Sequence, residues 1–286
     1  MTVLVTGATG NIGSKVAREL YEKGVSVRGF VRDDAKAREM LGDGIELAVG
    51  DFSDAESLRK ALHGIDRVLL SCSNQPQQAE LEIGVIDAAA AAGVRRIVKL
   101  SSIGARVGAP LSFWDWHGRS EQHLRRSVIP AVILQSNFYM SNVLAAANQV
   151  RELGKLLAPA EGAKIAMVDP RDVAAVAAVL LTSDDHERQT YELSGPEAIT
   201  YEQVADDISA ATARRVEFVA VPDEGAHRGL LEAGMPNWYA DELVALFKLL
   251  RQGDADHTTD TVRAVTGREP RSFAQFARDH ASVFGT

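Results

Sequence analysis

Only one cysteine, Cys72, occurs among the 286 residues, which rules out an internal disulfide and any metal site built from cysteines. Histidine pairs at metal-ligand spacing are missing too, so no metal is expected. His186, His257 and His280 lie among charges in polar stretches and read as solvated. No Lys/Arg-rich run stands out from a chain of 31 basic and 39 acidic residues with a formal net charge of -8. Neutralising nucleic-acid phosphates takes clustered cations, so no nucleic-acid partner is expected. The apolar stretches are too short, or too interrupted by charge, to span a bilayer. Met1 runs directly into an apolar strand, leaving no room for a leader. A soluble, cytoplasmic monomer or homodimer acting on a small molecule is the expectation.

The hydrophobic content of 46% is enough for a large core. The chain is organised around Thr6-Gly7-Ala8-Thr9-Gly10-Asn11-Ile12-Gly13. An apolar run, Thr2 to Val5, precedes it, and Ile12, Val16 and Leu20 follow at helical spacing. Strand, glycine turn and helix in succession predict a mononucleotide-binding unit. Gly7 turns the chain off the strand, Gly10 clears the approach of a pyrophosphate, and Gly13 lets helix and strand pack closely. Thr9, Gly10, Asn11 and Ile12 would then face the phosphates at the positive end of the helix. The first gap is one residue longer than in the standard dinucleotide fingerprint.

Four further strands follow, ending near Val31, Val49, Ser71 and Leu100, with helices between them. Val128 to Leu134 reads as a sixth, after a helix from Trp116 to Ser127. Alternating strands and helices predict a doubly wound parallel α/β sheet. Shorter elements take over after Gly154: Lys164 to Val168, a helix from Asp172, a strand Thr190 to Leu193, and helices from Thr200 onward. Residues 1–154 are thus expected to form the dinucleotide-binding domain. Residues 155–286 would form a small C-terminal α/β lobe with too few strands for a sheet of its own, some of them returning to the main sheet. A ligand cleft is expected beyond the carboxyl ends of the strands.

Strand two bears on the choice of cofactor. An acidic residue at its end would bond ribose hydroxyls, but Arg32 stands there, and a guanidinium can clamp a 2′-phosphate. NADP(H) is therefore favoured, while Asp33 leaves NAD(H) open. Asp51-Phe52 follows strand three where adenine should lie, although Asp51 could equally serve a helix N-terminus. Ser71, Cys72 and Ser73 end strand four, and Ser101 and Ser102 end strand five, all small residues suited to passing beneath a cofactor. Cys72 has no activating His or Lys beside it and reads as packing.

These residues together resemble the NmrA-like branch of atypical short-chain dehydrogenases. The likeness rests on Val5 to Gly13, Val31-Arg32-Asp33, Gly50-Asp51-Phe52, Ala91 to Val94, Lys99-Leu100-Ser101-Ser102 and Asp169 to Ala174. The resemblance implies a Rossmann fold and NADP(H) binding. It implies either a quinone- or dye-reductase activity or a redox-sensing regulator that binds the dinucleotide and catalyses nothing. It also implies that Asn137 and Phe138 border the nicotinamide.

The chain departs from ordinary short-chain dehydrogenases in having no tyrosine and no lysine between Ser102 and Phe138, hence no Tyr-x-x-x-Lys pair. His117 and Glu121 stand at the matching place, four apart and so on one helix face, as in the reductase members. His117 could donate a proton with Glu121 orienting it, or the pair could simply position the helix. With no lysine nearby to tune an acid, His117 is expected to position the substrate without donating a proton. Phe113, Trp114 and Trp116, expected in the loop before this helix, join Tyr139 and Trp238 as candidate contacts for a planar apolar substrate, some of them core residues instead.

Overall fold

The structure is a computed structural model that describes residues 1–285. In chain order the first elements are β1 (Thr2–Thr6), α1 (Gly13–Glu22), β2 (Ser26–Val31), α2 (Asp34–Leu41), β3 (Glu46–Val49) and α3 (Ala55–Ala61). Then come β4 (Arg67–Leu70), α4 (Gln78–Ala91), β5 (Arg96–Ser102), α5 (Ser112–Arg126) and β6 (Ala131–Ser136). A 3₁₀ segment (Met140–Ala146) leads to α6 (Ala147–Leu153), β7 (Lys155–Ala158), α7 (Pro170–Thr182) and β8 (Thr190–Leu193). The remainder is α8 (Tyr201–Thr212), β9 (Glu217–Ala220), α9 (Asp223–Glu232), α10 (Asn237–Arg251), α11 (Thr261–Thr266), α12 (Phe273–Asp279) and α13 (Ala281–Phe284).

Two compact units emerge, the first made of Met1–Ser136 with Pro170–Glu192, the second of Asn137–Asp169 with Leu193 onward. The first unit is built on a seven-stranded sheet in the order β3-β2-β1-β4-β5-β6-β8. Pairing is parallel from β3 through β6. Val3 to Val5 and Val68 to Leu70 are fully buried, as apolar runs covered on both faces must be. The winding reverses between β1 and β4, so the turns after these two strands share the crevice where open α/β sheets bind ligands.

Helix ends follow from particular residues. Asp54 accepts from the N–H groups of Glu56 and Ser57 at the start of α3, and Asp33 from Lys36 at the start of α2. The carboxyl end of α7 is closed by two buried arginines of the sheet. Arg67 donates to the Leu181 carbonyl at 3.0 Å and Arg96 to that of Leu180 at 3.2 Å, placing cations where the helix dipole is negative. Thr200 and Gln203 make the capping box that their spacing predicts.

The second unit does have a sheet of its own: β7 and β9 pair in parallel. Sequence periodicity overlooks β7 because Lys155 follows α6 with only Gly154, at φ +63°, as punctuation. Its core gathers Ile165, Val204, Ile208, Phe273, Phe276 and Phe284. Lys164 to Val168 is no strand; it contributes isolated bridges, Ile165 to Ile199 and Val168 to Tyr139.

Two boundaries in the first unit also differ from expectation. β6 begins at Ala131, because Pro130 has no N–H to give a ladder and Val128 is 81% exposed. α5 begins at Ser112, four residues early, with Asp115 in its first turn accepting from the Gly108 N–H at 2.7 Å. Phe113, Trp114 and Trp116 are therefore helical residues and not a loop cluster.

α5 lies directly on the chain before it: a Cβ at Gly118 would come within 2.2 Å of the Arg106 carbonyl carbon. Helix propensity alone favours alanine there by almost 1 kcal/mol. Overpacking against backbone should outweigh it, so Gly118→Ala is expected to cost about 1–3 kcal/mol in chemical or thermal denaturation. Unchanged or higher stability would contradict the close approach.

Candidate active site

The glycine turn sits at the β1–α1 junction. Gly7 has φ +59°, and the Gly10 N–H donates to its carbonyl at 2.8 Å. A Cβ on Gly13 would lie 2.2 Å from that same oxygen, so only glycine fits. Thr6 ties the turn to the neighbouring strand: its hydroxyl donates to the Leu69 carbonyl at 2.9 Å and accepts from the Ser71 N–H at 2.8 Å. No side chain caps α1 at Ile12. First-turn N–H groups that lack a side-chain cap, behind a turn cleared of side chains, fit the pyrophosphate of a dinucleotide. Thr9 is half-exposed and Asn11 exposed beside them; Lys15 donates to both oxygens of Asn11.

At the end of β2, Arg32 is exposed. Asp33 is occupied as the cap of α2, accepting from Lys36 at 3.1 Å. Asp51 bonds Ser53 rather than a helix end, the N-cap of α3 being Asp54. Those Ser53 hydrogen bonds, and then the charge of Arg32, hold its carboxyl below the usual aspartate range. Phe52 stacks on Phe30, the rings 7° from parallel and 5.8 Å apart. After β4, Ser71 and Cys72 are half-buried and Ser73 is exposed. Burial, then the charge of Glu82, push the Cys72 thiol up to about 11, so it stays protonated and is no nucleophile.

Behind the ends of β4 and β5 lies a polar network that α4, β5 and α5 share. Lys99 and Glu82 form an ion pair at 2.9 Å, with neither side chain exposed at all. Lys99 Nζ also donates to the Leu100 carbonyl and to His117 Nδ1, each at 3.1 Å. Ser120 donates to Glu82. The Gln78 amide nitrogen is 3.2 and 3.3 Å from the two nitrogens of the His117 ring. Desolvation, then the Lys99 ammonium, hold the His117 pKa well below 6.5, so the ring is neutral at physiological pH.

Several expected roles are revised here. Glu121 does not orient His117. Its carboxylate accepts from Ser101, from Gln135 at 3.0 Å and from Arg125 at 2.9 Å, clamping α5 to β5 and β6. Ser101 is thereby committed to the core. Ser102 accepts from Trp114 Nε1 at 3.2 Å, and Trp114 packs across Gly104. Phe113 and Trp114 are 7% and 8% exposed, which makes them core residues; Trp116 remains half-exposed.

In the second unit, Asn137 is buried, donating to the Ala255 carbonyl at 3.1 Å and accepting from the Phe138 N–H. Phe138 packs on that unit's core, edge to face with Phe247. Both therefore have structural work inside the unit, where the resemblance implied a nicotinamide border. Tyr139 and Trp238 are half-exposed. A cavity of about 420 Å³ in the first unit is lined by Arg106, Gln122, Arg125, Arg126 and Gln135, and by none of the candidate aromatics.

The profile of the NmrA-like family matches residues 1–277. The chain belongs to the NmrA-like family. It is 38% identical over 283 residues to an NAD(P)H azoreductase of Xenophilus azovorans, covering 99% of each chain. Its fold is similar to that of the NADPH-dependent quinone oxidoreductase of Escherichia coli complexed with NADPH. There the TM-score is 0.87 at 30% identity, over 98% of this chain and 99% of that one. Triphenylmethane reductase of a Citrobacter species complexed with NADP(H) gives 0.85 at 25% identity, over 98% and 100%.

In this NmrA-like chain, sequence reasoning missed Gln78, Glu82, Lys99 and Ser120. A signal was present. Lys99 interrupts Ile97-Val98-Lys99-Leu100, a strand buried on both faces, so its charge has to meet a buried partner. Gln78 and Glu82 stand four apart on α4, polar positions on an otherwise apolar face.

The depressed His117 pKa has a consequence for stability. Between the folded-state value and about 6.5 the unfolded chain binds a proton that the folded ring refuses. Stability should be fully present above about pH 6.5 and fall below it, by at most about 1.4 kcal/mol per pH unit for one proton. Denaturation measured from pH 5 to 8 should show this slope in wild type and lose it in His117→Gln. A slope of the opposite sign, or one that His117→Gln leaves in place, would contradict the neutral ring.

Proposed function

We propose that this NmrA-like protein transfers hydride from NADPH to a conjugated, planar small molecule, quinone-like in its electronics, without a Tyr-x-x-x-Lys pair. The coarser statement is firm: it is an NAD(P)H-dependent oxidoreductase with NADP(H) favoured. The observation that carries this is the end of β2. An exposed guanidinium, Arg32, stands where a 2′-phosphate would be met, while the neighbouring carboxylate of Asp33 is spent on the cap of α2.

Within this reading the glycine turn and the N-terminus of α1 hold the pyrophosphate, and Arg32 holds the 2′-phosphate. Bound NADPH supplies the hydride, which is the cofactor's own chemistry. What remains for the protein is to orient the acceptor, exclude water and manage a proton. A conjugated acceptor spreads the incoming charge over its own π system, so the hydride step itself does not require the Tyr-x-x-x-Lys pair. His117, neutral and partly buried, suits contact with such a molecule. The half-exposed ring of Trp116, the residue before His117 on α5, offers surface to a flat apolar substrate.

Titration should show NADPH binding more tightly than NADH, and Arg32→Ala should remove roughly 10-fold or more of that preference, the worth of a charge-assisted contact. Equal affinities would contradict the assignment of Arg32. NADPH oxidation across quinones, azo compounds and cationic triphenylmethane dyes should give turnover with at least one class. Micromolar dinucleotide binding with no turnover across the panel would favour a dinucleotide-sensing protein instead.

A further inference from the structure

The buried Lys99–Glu82 pair is costly, and the reductase reading alone gives it no work. Each ion loses several kcal/mol of hydration, which an apolar pair of similar volume would not lose. The ammonium is fully satisfied, its three protons directed at Glu82 Oε2, the Leu100 carbonyl and His117 Nδ1. One of its three partners is therefore a ring nitrogen of His117, a residue that is only partly buried.

The tautomer follows from this contact. Lys99 has no acceptor, so His117 Nδ1 must accept, and the proton of the neutral ring resides on Nε2. The Gln78 amide nitrogen, a donor 3.2 Å from Nδ1 and 3.3 Å from Nε2, can give a proton only to Nδ1, so among the described residues the Nε2–H meets no acceptor. The Gln78 carbonyl oxygen is buried without a partner, as is Glu82 Oε1. The ring thus has a charged donor behind it and an N–H on its other nitrogen.

We infer that Lys99 holds the proton that reduction consumes, and that His117 passes it on. The inference rests on the reductase reading above. An acceptor such as a quinone takes two electrons as hydride, NADPH leaving as NADP⁺, and becomes an oxyanion. An O–H bond forms at that oxygen as the Nε2–H bond breaks. A new Nδ1–H bond forms as one Nζ–H bond breaks, so the imidazole ends neutral, in its other tautomer. Lys99 is left as an amine beside the Glu82 carboxylate, which favours its recharging. After product leaves, a proton from water enters at Nε2 and the two shifts run in reverse.

Lys99 is on this account a positioning residue that acts through His117. The charged groups around the ring fit the assignment. From β5 comes Lys99 and from α4 Glu82, while Glu121 on α5 is occupied by Ser101, Gln135 and Arg125. Cys72, in the field of Glu82 and Lys99, keeps its proton. Desolvation and the ammonium keep a second proton off His117, so the imidazolium is not the store.

A cationic triphenylmethane dye supplies the control, since hydride alone neutralises it and no proton is needed. Removing only one charge would strand the other in the core, so Lys99→Met is paired with Glu82→Gln, a double variant that buries no ion. The ratio of kcat for a quinone to kcat for a cationic dye should fall by about 10²-fold or more in the double variant, the usual scale of proton-transfer catalysis. An unchanged ratio would overturn the inference. Nitrogen-15 NMR of the dinucleotide-free protein gives a readout independent of turnover. Wild type should show His117 as the Nε2–H tautomer with Nδ1 accepting, and the double variant should lose that preference. An Nδ1–H tautomer in wild type would overturn the relay even with activity intact. Wild type that reduces neither acceptor, while its NMR shows the expected tautomer, would fell the reductase reading and leave the proton-holding geometry standing.

Discussion

A lysine ammonium and a glutamate carboxylate meet at 2.9 Å in the core of the first unit, with no exposed side-chain surface on either. Removing one partner from such a pair costs about 3–5 kcal/mol, because the other is left buried and unpaired. The demand for satisfaction spreads outward. Ser120 turns its hydroxyl to Glu82, the Leu100 carbonyl and His117 take the remaining ammonium protons, and Gln78 lines the other side. These contacts join α4, β5 and α5 more specifically than apolar packing could. They also fix His117: burial and then Lys99 keep it neutral, and the Lys99 contact sets its tautomer.

The glycine turn supplies the second constraint. Gly13 packs against the Gly7 carbonyl so closely that no Cβ fits, and Thr6 locks the turn to β4 through Ser71. The chain after β1 is thereby held in a conformation that starts α1 without a side-chain cap. At the next strand labour is divided: Asp33 caps a helix, and Arg32 stays exposed, the residue proposed to meet a 2′-phosphate. A substitution at Asp33 would uncap α2 next to Arg32.

Much of this was legible in the sequence. The parallel sheet, the glycine turn and the end of β2 all come from local patterns, because strand runs, turns and caps are determined by neighbours along the chain. The Thr200–Gln203 capping box is legible for the same reason. What failed involved partners distant in sequence. The His117–Glu121 spacing correctly puts both side chains on one helix face, but spacing does not say what else reaches that face. Ser101 and Gln135, from two strands, take Glu121, and Lys99 takes His117. The helix has no lysine where ordinary short-chain dehydrogenases carry one, and the lysine that reaches His117 comes from β5. Phe113 and Trp114 were misplaced because α5 starts a full turn early, drawing both rings into the core. The partners of Asn137 and Phe138, Ala255 and Phe247, lie more than 100 residues away and were likewise beyond what local pattern shows.

The central claim is that a proton held in the core accompanies hydride when the acceptor requires one. A solvent deuterium isotope effect on kcat, measured with unaltered protein on a quinone and on a cationic triphenylmethane dye, addresses it most directly. The account predicts a clear slowing in D₂O for the quinone, because exchangeable protons on Lys99 and His117 move in that reaction, and a rate close to that in H₂O for the dye. Equal isotope effects on the two acceptors would contradict it.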